Sequence, residues 1–254
     1  MKKQKQIILS GACGMMGRVI SECAEQSVEY KIVAGIDLKA KVYAGFPVYK
    51  NPFEFTDDAD VLIDFSHPNS LGNILSFAEK KNLPIVLATT GYNEDEISEI
   101  RRISKQIPIF FASNMSLGIN LLAELARKAT TILGESFNIE IIEKHHNKKI
   151  DAPSGTALSL ANVINSTLPE PYEYKYDRHL ERNKRGKKEI GIHTIRGGTI
   201  PGEHEIIFAG RDEVITLSHS AISKEVFAAG ALKASLFICE QKPGLYNMND
   251  LINW

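Results

Sequence analysis

The sequence is poor in cysteine and contains no long apolar run. Its 254 residues include only Cys13, Cys23 and Cys239, which are odd in number and too widely spaced for a disulfide framework or a CxxC metal motif. The basic start from Met1 to Gln6 is followed by an apolar run too short for a signal peptide or a membrane span. We therefore expect a reducing compartment and predict a cytoplasmic protein without a membrane partner.

The sequence also lacks an excess of charge of either sign. Thirty Lys and Arg residues against 31 Asp and Glu leave a formal net charge of -1 at pH 7, so no overall field attracts nucleic acid. The densest basic run, Glu181 to Lys188, includes Arg182, Lys184 and Arg185 but no aromatic residue. A solvated loop is the favoured interpretation, and a loop beside an anionic substrate or a nucleic-acid contact are the alternatives.

The residues that are present favour a two-domain α/β protein, with 43% hydrophobic residues to form cores. In the first half, short β-branched runs alternate with amphipathic segments. Strands are predicted over 7–9, 31–37, 60–65, 84–88 and 108–112, and helices over 17–29, 69–81 and 93–105. Repeated βα units imply a Rossmann-type, doubly wound parallel sheet.

The pattern changes after residue 113. Helices are predicted over 117–133, 157–166 and 224–240, and strands over 137–143, 190–195, 203–208 and 214–218. Because no helix separates the last three strands, they predict a second α+β domain with a mixed sheet. We place one domain at residues 1–114, completed by 224–254, and the other at 115–223.

A glycine-rich turn follows the first strand. Gly11, Gly14 and Gly17 are spaced as GxxGxxG, which lets backbone N–H groups approach a pyrophosphate at the start of a helix. Asp37 ends the second strand 20 residues after Gly17, where its carboxylate can accept hydrogen bonds from a ribose diol. A packing turn and a strand-terminal turn residue are the alternatives, but together the two features favour a dinucleotide site.

Two further strand ends belong to the same predicted site, because ligands of such sheets bind at the carboxyl ends of the strands. The predicted cofactor-binding residues are Gly11, Ala12, Cys13, Gly14, Met15, Met16, Asp37, Ala88, Thr89, Thr90, Ala112, Ser113, Asn114 and Met115. Asp37 repels a 2′-phosphate unless Lys39 or Lys41 compensates. We therefore expect NADH to be accepted, and NADPH is the open alternative.

The segment Glu143 to Ala157 holds the predicted substrate site. The pair His145 and His146 can exchange a proton near neutral pH, and Lys149 adds a positive charge. Residues 154–156 open a helix whose N-terminus favours a carboxylate. A surface histidine pair with an ordinary N-cap and solvated lysines is the alternative. A metal site is disfavoured, since neighbouring strand side chains face opposite ways and no third ligand is suitably spaced.

Several motifs extend these segments. They are Arg18 after the glycine turn, Thr89-Thr90-Gly91, Ser113-Asn114-Met115-Ser116, Arg196-Gly197-Gly198, Gly202-Glu203-His204 and Gly244-Leu245-Tyr246. Together with Glu143 to Ala157, they make the sequence resemble the dihydrodipicolinate reductase family, also called 4-hydroxy-tetrahydrodipicolinate reductases, over essentially its whole length. Leu38 departs from the family pattern, because an Arg that recognises NADPH often stands there.

The resemblance implies an enzyme of diaminopimelate and lysine biosynthesis that reduces a small dicarboxylate with NADH or NADPH. It implies that His145 exchanges the proton, that Lys149 is a second proton donor and carboxylate partner, and that His146, Ser154, Gly155 and Thr156 bind substrate. It also implies a homotetramer held together by the central domain. Another two-domain nicotinamide dehydrogenase, of the sugar or homoserine type, and a non-catalytic dinucleotide sensor are the alternative functions.

Overall fold

The structure, a computed structural model, describes residues 4–39, 45–179 and 181–253. The chain divides into two compact units, one of Met1–Leu117 with Lys224–Trp254 and one of Gly118–Ser223. Lys41, one of the two lysines considered for a 2′-phosphate, lies outside the described residues. No helix in the described ranges combines the length and the apolarity needed to cross a bilayer.

The helices and strands follow one another as β1 (Lys5–Ser10), α1 (Met15–Glu25), β2 (Tyr30–Ile36), β3 (Val48–Tyr49), β4 (Val61–Asp64), α2 (Leu71–Lys81), β5 (Ile85–Leu87), α3 (Glu94–Ile103), β6 (Pro108–Phe111), α4 (Leu117–Leu133), β7 (Asn138–His145), α5 (Gly155–Asn165), β8 (Glu173–Lys175), β9 (Glu189–Arg196), β10 (Gly202–Ala209), β11 (Val214–Ala221), α6 (Glu225–Ile238), β12 (Gly244–Tyr246) and α7 (Met248–Ile252). Short 3₁₀ turns lie at Pro52–Glu54, Pro68–Ser70 and Gly134–Ser136.

The first unit contains a parallel sheet with helices on both faces. Within the described residues it has seven strands in the order β12-β6-β5-β4-β1-β2-β3. Ile7 and Leu9 of β1 face the core that includes α1 and α6, whereas Ile8 faces the core that includes α2 and α3. Because successive strand side chains point to opposite faces, a sheet covered on both sides needs apolar residues at nearly every position. That need explains the continuous apolar runs in the sequence.

The second unit contains a mixed sheet whose described strands lie in the order β11-β10-β7-β9-β8. β7 is parallel to β9 and antiparallel to β10, and β10 is antiparallel to β11. Ile139 and Ile141 of β7 pack in a core with residues of α4 and α5. Glu143 and His145 follow at the same period of two, so they continue the buried face of β7 to its carboxyl end.

The predicted α/β fold class, with a Rossmann-type sheet and a second mixed sheet, is confirmed. The main differences lie at element ends and in short elements: α1 begins two residues earlier and ends four residues earlier than predicted. The sequence analysis missed β3, β8, β12 and α7. These elements are two to five residues long, too short for a hydrophobic period to be visible.

Candidate active site

The glycine turn of the first unit is held tightly against the ends of β1 and β2. Gly11 has φ 77° and donates its N–H to the carbonyl of Ile36 at 2.8 Å. A Cβ on Gly17 would lie 2.3 Å from the carbonyl oxygen of Gly11, so only glycine fits there. Gly14 is the N-cap of α1, which begins at Met15. The N–H groups of Cys13 and Gly14 are also bonded within the protein. The first N–H groups of α1, from Met15 onward, are therefore the donors at a helix N-terminus that a pyrophosphate would use.

Asp37 follows β2 and is tied to the same turn. Its Oδ2 accepts the N–H of Cys13 at 3.0 Å, and its Oδ1 accepts the N–H of Lys39 at 2.9 Å. Each carboxylate oxygen has a second acceptor position, so these bonds leave capacity for a ribose diol. Asp37 thus stabilises the turn after its strand, which is the alternative that the sequence left open. Its position at the strand end is also compatible with a ribose contact. Leu38 beside it is 82% exposed.

A buried carboxylate at the end of β4 was missed by the sequence analysis. Asp64 is 1% exposed, and its Oδ2 accepts the Thr89 hydroxyl at 2.7 Å and the Tyr92 hydroxyl at 3.4 Å. Burial, reinforced by Asp64, raises the pKa of Tyr92. Oδ1 of Asp64 and Oγ of Ser66 are buried without a partner among the described residues. Such unpaired polar atoms at the carboxyl edge of a Rossmann-type sheet fit a polar ligand such as a nicotinamide nucleotide.

The other predicted cofactor residues lie in the first unit, in the glycine turn or after β5 and β6. Ala88 follows β5, and Ala112 and Ser113 follow β6. Oδ1 of Asn114 accepts the N–H of Ser116 at 2.9 Å. The side chain of Met115 is buried in the core with α6, so any contact of this residue with a cofactor involves its backbone.

In the second unit, Glu143 is the centre of a buried hydrogen-bond network. It is 0% exposed. Its oxygens accept hydrogen bonds from Nη1 and Nη2 of Arg196 (2.8 Å each), Nδ1 of His145 (2.6 Å), the N–H of Ser154 (3.0 Å) and the hydroxyl of Thr194 (3.1 Å). Burial by itself raises the pKa of Glu143, but these hydrogen bonds outweigh it and hold the pKa at about 2. Glu143 is therefore ionised at neutral pH.

His145, the predicted proton donor, lies at the end of β7 against a second histidine. Its ring centroid is 5.2 Å from that of His204, with the two planes at 74°. Burial, with a contribution from His145, lowers the pKa of His204 to about 4. His204 Nε2 is 3.1 Å from the Ser154 hydroxyl. A Cβ on Gly202 would lie 3.1 Å from Nε2 of His145, so glycine keeps that nitrogen uncovered.

The remaining predicted substrate residues lie in the loop and helix after β7. Lys149 forms an ion pair with Asp151 at 2.9 Å, and a hydrogen bond from Lys149 lowers the pKa of Asp151. Ser154 is buried, and its hydroxyl accepts the N–H of Ala157 at the start of α5. It is therefore an N-cap, which is the alternative that the sequence left open. Gly155 and Thr156 begin α5, and His146 follows β7 directly. His146, Lys149 and the start of α5 thus lie on the segment that connects β7 to α5.

Four residues of the network received no role from the sequence: Glu143, Thr194, Arg196 and His204. The sheet places Thr194 and His204 directly opposite Glu143 on the two neighbouring strands. The spacing of Glu143 and His145 was a usable local signal, because residues two apart on a strand share a face. The strand register that adds Thr194 and His204 was not visible in a single sequence.

The basic run has a structural explanation at Arg185. Its guanidinium donates to the Glu140 carboxylate at 2.8 Å and to the carbonyls of Ile139 (3.1 Å) and Glu189 (2.7 Å). Arg185 therefore binds the ends of β7 and β9, which the solvated-loop interpretation did not predict, whereas Arg182 and Lys184 are exposed as that interpretation expects. Among the described residues, no group of three or more His, Cys, Asp or Glu side chains is arranged to hold a metal ion.

The comparisons with known proteins agree along the whole chain. The family described as "Dihydrodipicolinate reductase, N-terminus" matches residues 5–115, and "Dihydrodipicolinate reductase, C-terminus" matches residues 118–252. The chain belongs to the dihydrodipicolinate reductase family. It is 51% identical over 247 residues to the 4-hydroxy-tetrahydrodipicolinate reductase of Caldanaerobacter subterraneus subsp. tengcongensis, covering 97% of this chain and 98% of that protein.

Two further relatives extend this picture. The 4-hydroxy-tetrahydrodipicolinate reductase of Clostridium tetani is 48% identical, covering 98% of this chain and 97% of the relative. The dipicolinate-bound dihydrodipicolinate reductase of Paenisporosarcina sp. TG-14 has the same fold, with a TM-score of 0.83, 23% identity and coverage of 97% and 99%. The predicted family, the reductase activity and the nicotinamide cofactor are confirmed. The two alternative functions are set aside.

Proposed function

We propose that this protein reduces 4-hydroxy-tetrahydrodipicolinate to tetrahydrodipicolinate in diaminopimelate and lysine biosynthesis. Each of its two units binds one of the reactants. Residues 1–114 and 224–254 bind the dinucleotide, and residues 115–223 bind the substrate. One observation carries the assignment of the substrate site. The imidazole of His145 is held by a buried ionised carboxylate at a strand end, and the following segment carries Lys149 and the start of α5.

The second unit recognises the dicarboxylate and supplies the proton. Lys149 attracts one carboxylate, and the helix dipole and backbone of Gly155 and Thr156 favour negative charge at the same place. His146 completes the binding residues. The substrate hydroxyl leaves as water together with a hydrogen from the neighbouring ring carbon, which creates a double bond between the two carbons. One of these carbons is then reduced by hydride, and His145 donates a proton from Nε2 to the other.

The first unit holds the dinucleotide, which supplies a hydride when it is bound in its reduced form. The turn from Gly11 to Met16 holds the pyrophosphate at the N-terminus of α1, where the N–H groups of Met15 and Met16 bind it, and Asp37 binds the ribose diol. The residues after β5 and β6, namely Ala88, Thr89, Thr90 and 112–115, surround the nicotinamide riboside. Asp37 favours NADH, while Lys39 permits NADPH by offsetting the repulsion of a 2′-phosphate.

We also propose that the protein is a cytoplasmic homotetramer whose subunit contacts lie in the second unit. The exposure of Val214 and Ile215 on the edge strand β11 supports such a contact, because apolar residues on an edge strand favour pairing. Light scattering on the purified protein tests the tetramer, and a monomer at micromolar concentration contradicts it.

The test of the reaction is an assay with freshly made 4-hydroxy-tetrahydrodipicolinate, following NADH and NADPH oxidation in parallel. We expect turnover, and competitive inhibition by pyridine-2,6-dicarboxylate. His145→Ala should lower kcat by about 10²- to 10⁴-fold, the usual contribution of a positioned acid. His193→Ala is the matched control, because His193 lies on the neighbouring strand and pairs with Glu140 instead. Absence of oxidation with either cofactor contradicts the proposed reaction.

A further inference from the structure

Among the described residues, Glu143 is the acceptor in each of its side-chain hydrogen bonds. Its Oε1 accepts from Ser154, Thr194 and Arg196, and its Oε2 accepts from Arg196 and His145. An ionised carboxylate has acceptors only, so Nδ1 of His145 must carry a hydrogen. Nε2 of His145 is bonded to no described residue. The network therefore determines which nitrogen of the ring is available to a ligand.

The network is also bonded to the backbone. Arg196 donates to the carbonyls of Asp151 at 2.6 Å and Ile195 at 2.9 Å in addition to its two bonds to Glu143. Its guanidinium neutralises the buried charge, which makes the ionised carboxylate tolerable inside the unit. Because Glu143 is fully buried, it acts on a reaction through the groups bonded to it. Among these, His145 is the one proposed to transfer a proton.

We propose that Glu143 is a positioning residue for proton donation, which holds the imidazole of His145 by Nδ1–H so that the transferred proton is always on Nε2. This inference rests on the proposed function. When His145 gives up the Nε2 proton, the ring becomes neutral and keeps its hydrogen on Nδ1, still bonded to Glu143. Arg196 and Thr194 hold the carboxylate in place throughout the step.

A glutamine at position 143 reverses this pairing. With its NH₂ group at the Oε2 position it donates to Nδ1, so the neutral ring must carry its hydrogen on Nε2. A ring that has just donated its Nε2 proton carries its hydrogen on Nδ1 instead, and this glutamine does not accept that hydrogen. With its NH₂ group at the Oε1 position it meets the donors of Ser154 and Arg196. In the first orientation the imidazole loses the acceptor for its Nδ1–H. In the second it keeps a carbonyl acceptor but loses the negative charge that stabilises its charged form.

The chain contains its own matched control for this substitution. Glu140 lies on the same strand as Glu143 and also accepts hydrogen bonds from an arginine and a histidine, Arg185 at 2.8 Å and His193 at 2.9 Å. It is on the opposite face of β7. Glu140→Gln therefore removes a comparable charge from the same sheet without touching His145.

The experiment compares kcat, KM and the affinity for pyridine-2,6-dicarboxylate in wild type, Glu143→Gln, Glu143→Asp and Glu140→Gln. We expect Glu143→Gln to lower kcat about 100-fold or more while KM and inhibitor affinity change less than about threefold. Glu143→Asp keeps the charge and should recover part of kcat. Glu140→Gln should resemble wild type. A folded Glu143→Gln with wild-type kcat, or one whose inhibitor affinity falls in step with kcat, overturns the proposal.

A second measurement needs neither turnover nor a folded variant. In ¹⁵N-histidine-labelled wild type, we expect the His145 ring to show a protonated Nδ1 in its neutral form. A neutral ring protonated on Nε2 overturns the proposal even if Glu143→Gln fails to fold. Failure of the proposed function is a separate result, because it is seen as wild-type protein that neither turns over the substrate nor binds the dicarboxylate.

Discussion

Mild acid should destabilise the protein through His204. Burial lowers the pKa of this histidine from its ordinary value of 6.5 to about 4, so the folded chain resists a proton that the unfolded chain accepts. Its contribution to stability is therefore complete above pH 6.5 and is lost as the pH falls towards 4. The difference corresponds to about 3 kcal/mol in all, of which about 2 kcal/mol is lost by pH 5.

The assay is urea unfolding of wild type and His204→Gln at several pH values between about 7 and about 5. Glutamine can keep the contact with Ser154 but does not titrate, and the other six histidines are common to both proteins. Glu143 does not interfere. Its lowered pKa contributes stability that is lost only as the pH falls below the ordinary value of 4.5, which lies outside the range of the assay. The free energy of unfolding should fall by about 2 kcal/mol more in wild type than in the variant. Parallel curves would refute this reasoning.

Three substitutions test the two ligand sites. Gly17→Ala places a Cβ 2.3 Å from the carbonyl of Gly11 and should cost about 2 kcal/mol of stability by urea unfolding, whereas Gly72→Ala, with open space around it, should be neutral or stabilising. Equal stability of the two variants would contradict the tight turn. Asp37→Ala should raise the KM for NADH by about tenfold and the KM for NADPH by less, and an equal change for both cofactors argues against a ribose contact. Lys149→Ala should raise the substrate KM by about tenfold and lower kcat. Lys148→Ala, at an exposed position, is the control. An unchanged KM for Lys149→Ala contradicts a carboxylate contact.

The sequence predicted those parts of the fold that local periodicity determines. The strand at Asn138–His145 and the helix at Leu117–Leu133 are visible because their buried residues recur at a period of two or at helical spacing. The three-residue strand Gly244–Tyr246 has no such period. It forms because its backbone pairs with the edge of β6, where Gly244 lies opposite Pro108, 136 residues earlier in the chain.

The same distinction applies to the candidate site. His145, Lys149 and the start of α5 are close in sequence, so one segment predicts them together. The hydrogen bonds that Thr194 and Arg196 donate to Glu143 join residues 51 and 53 positions apart, and they depend on the register between β7 and β9. The position of Arg185 also depends on tertiary contacts, because its guanidinium binds the carboxylate of Glu140. The sequence alone predicted a solvated side chain there.

The most direct test of the account is a crystal structure of the protein with pyridine-2,6-dicarboxylate. We predict that one carboxylate of the ligand accepts hydrogen bonds from the backbone N–H groups of Gly155 and Thr156 and from Lys149, and that the ring lies beside Nε2 of His145. A ligand bound elsewhere in the protein, with His145 and Lys149 away from it, would contradict the account.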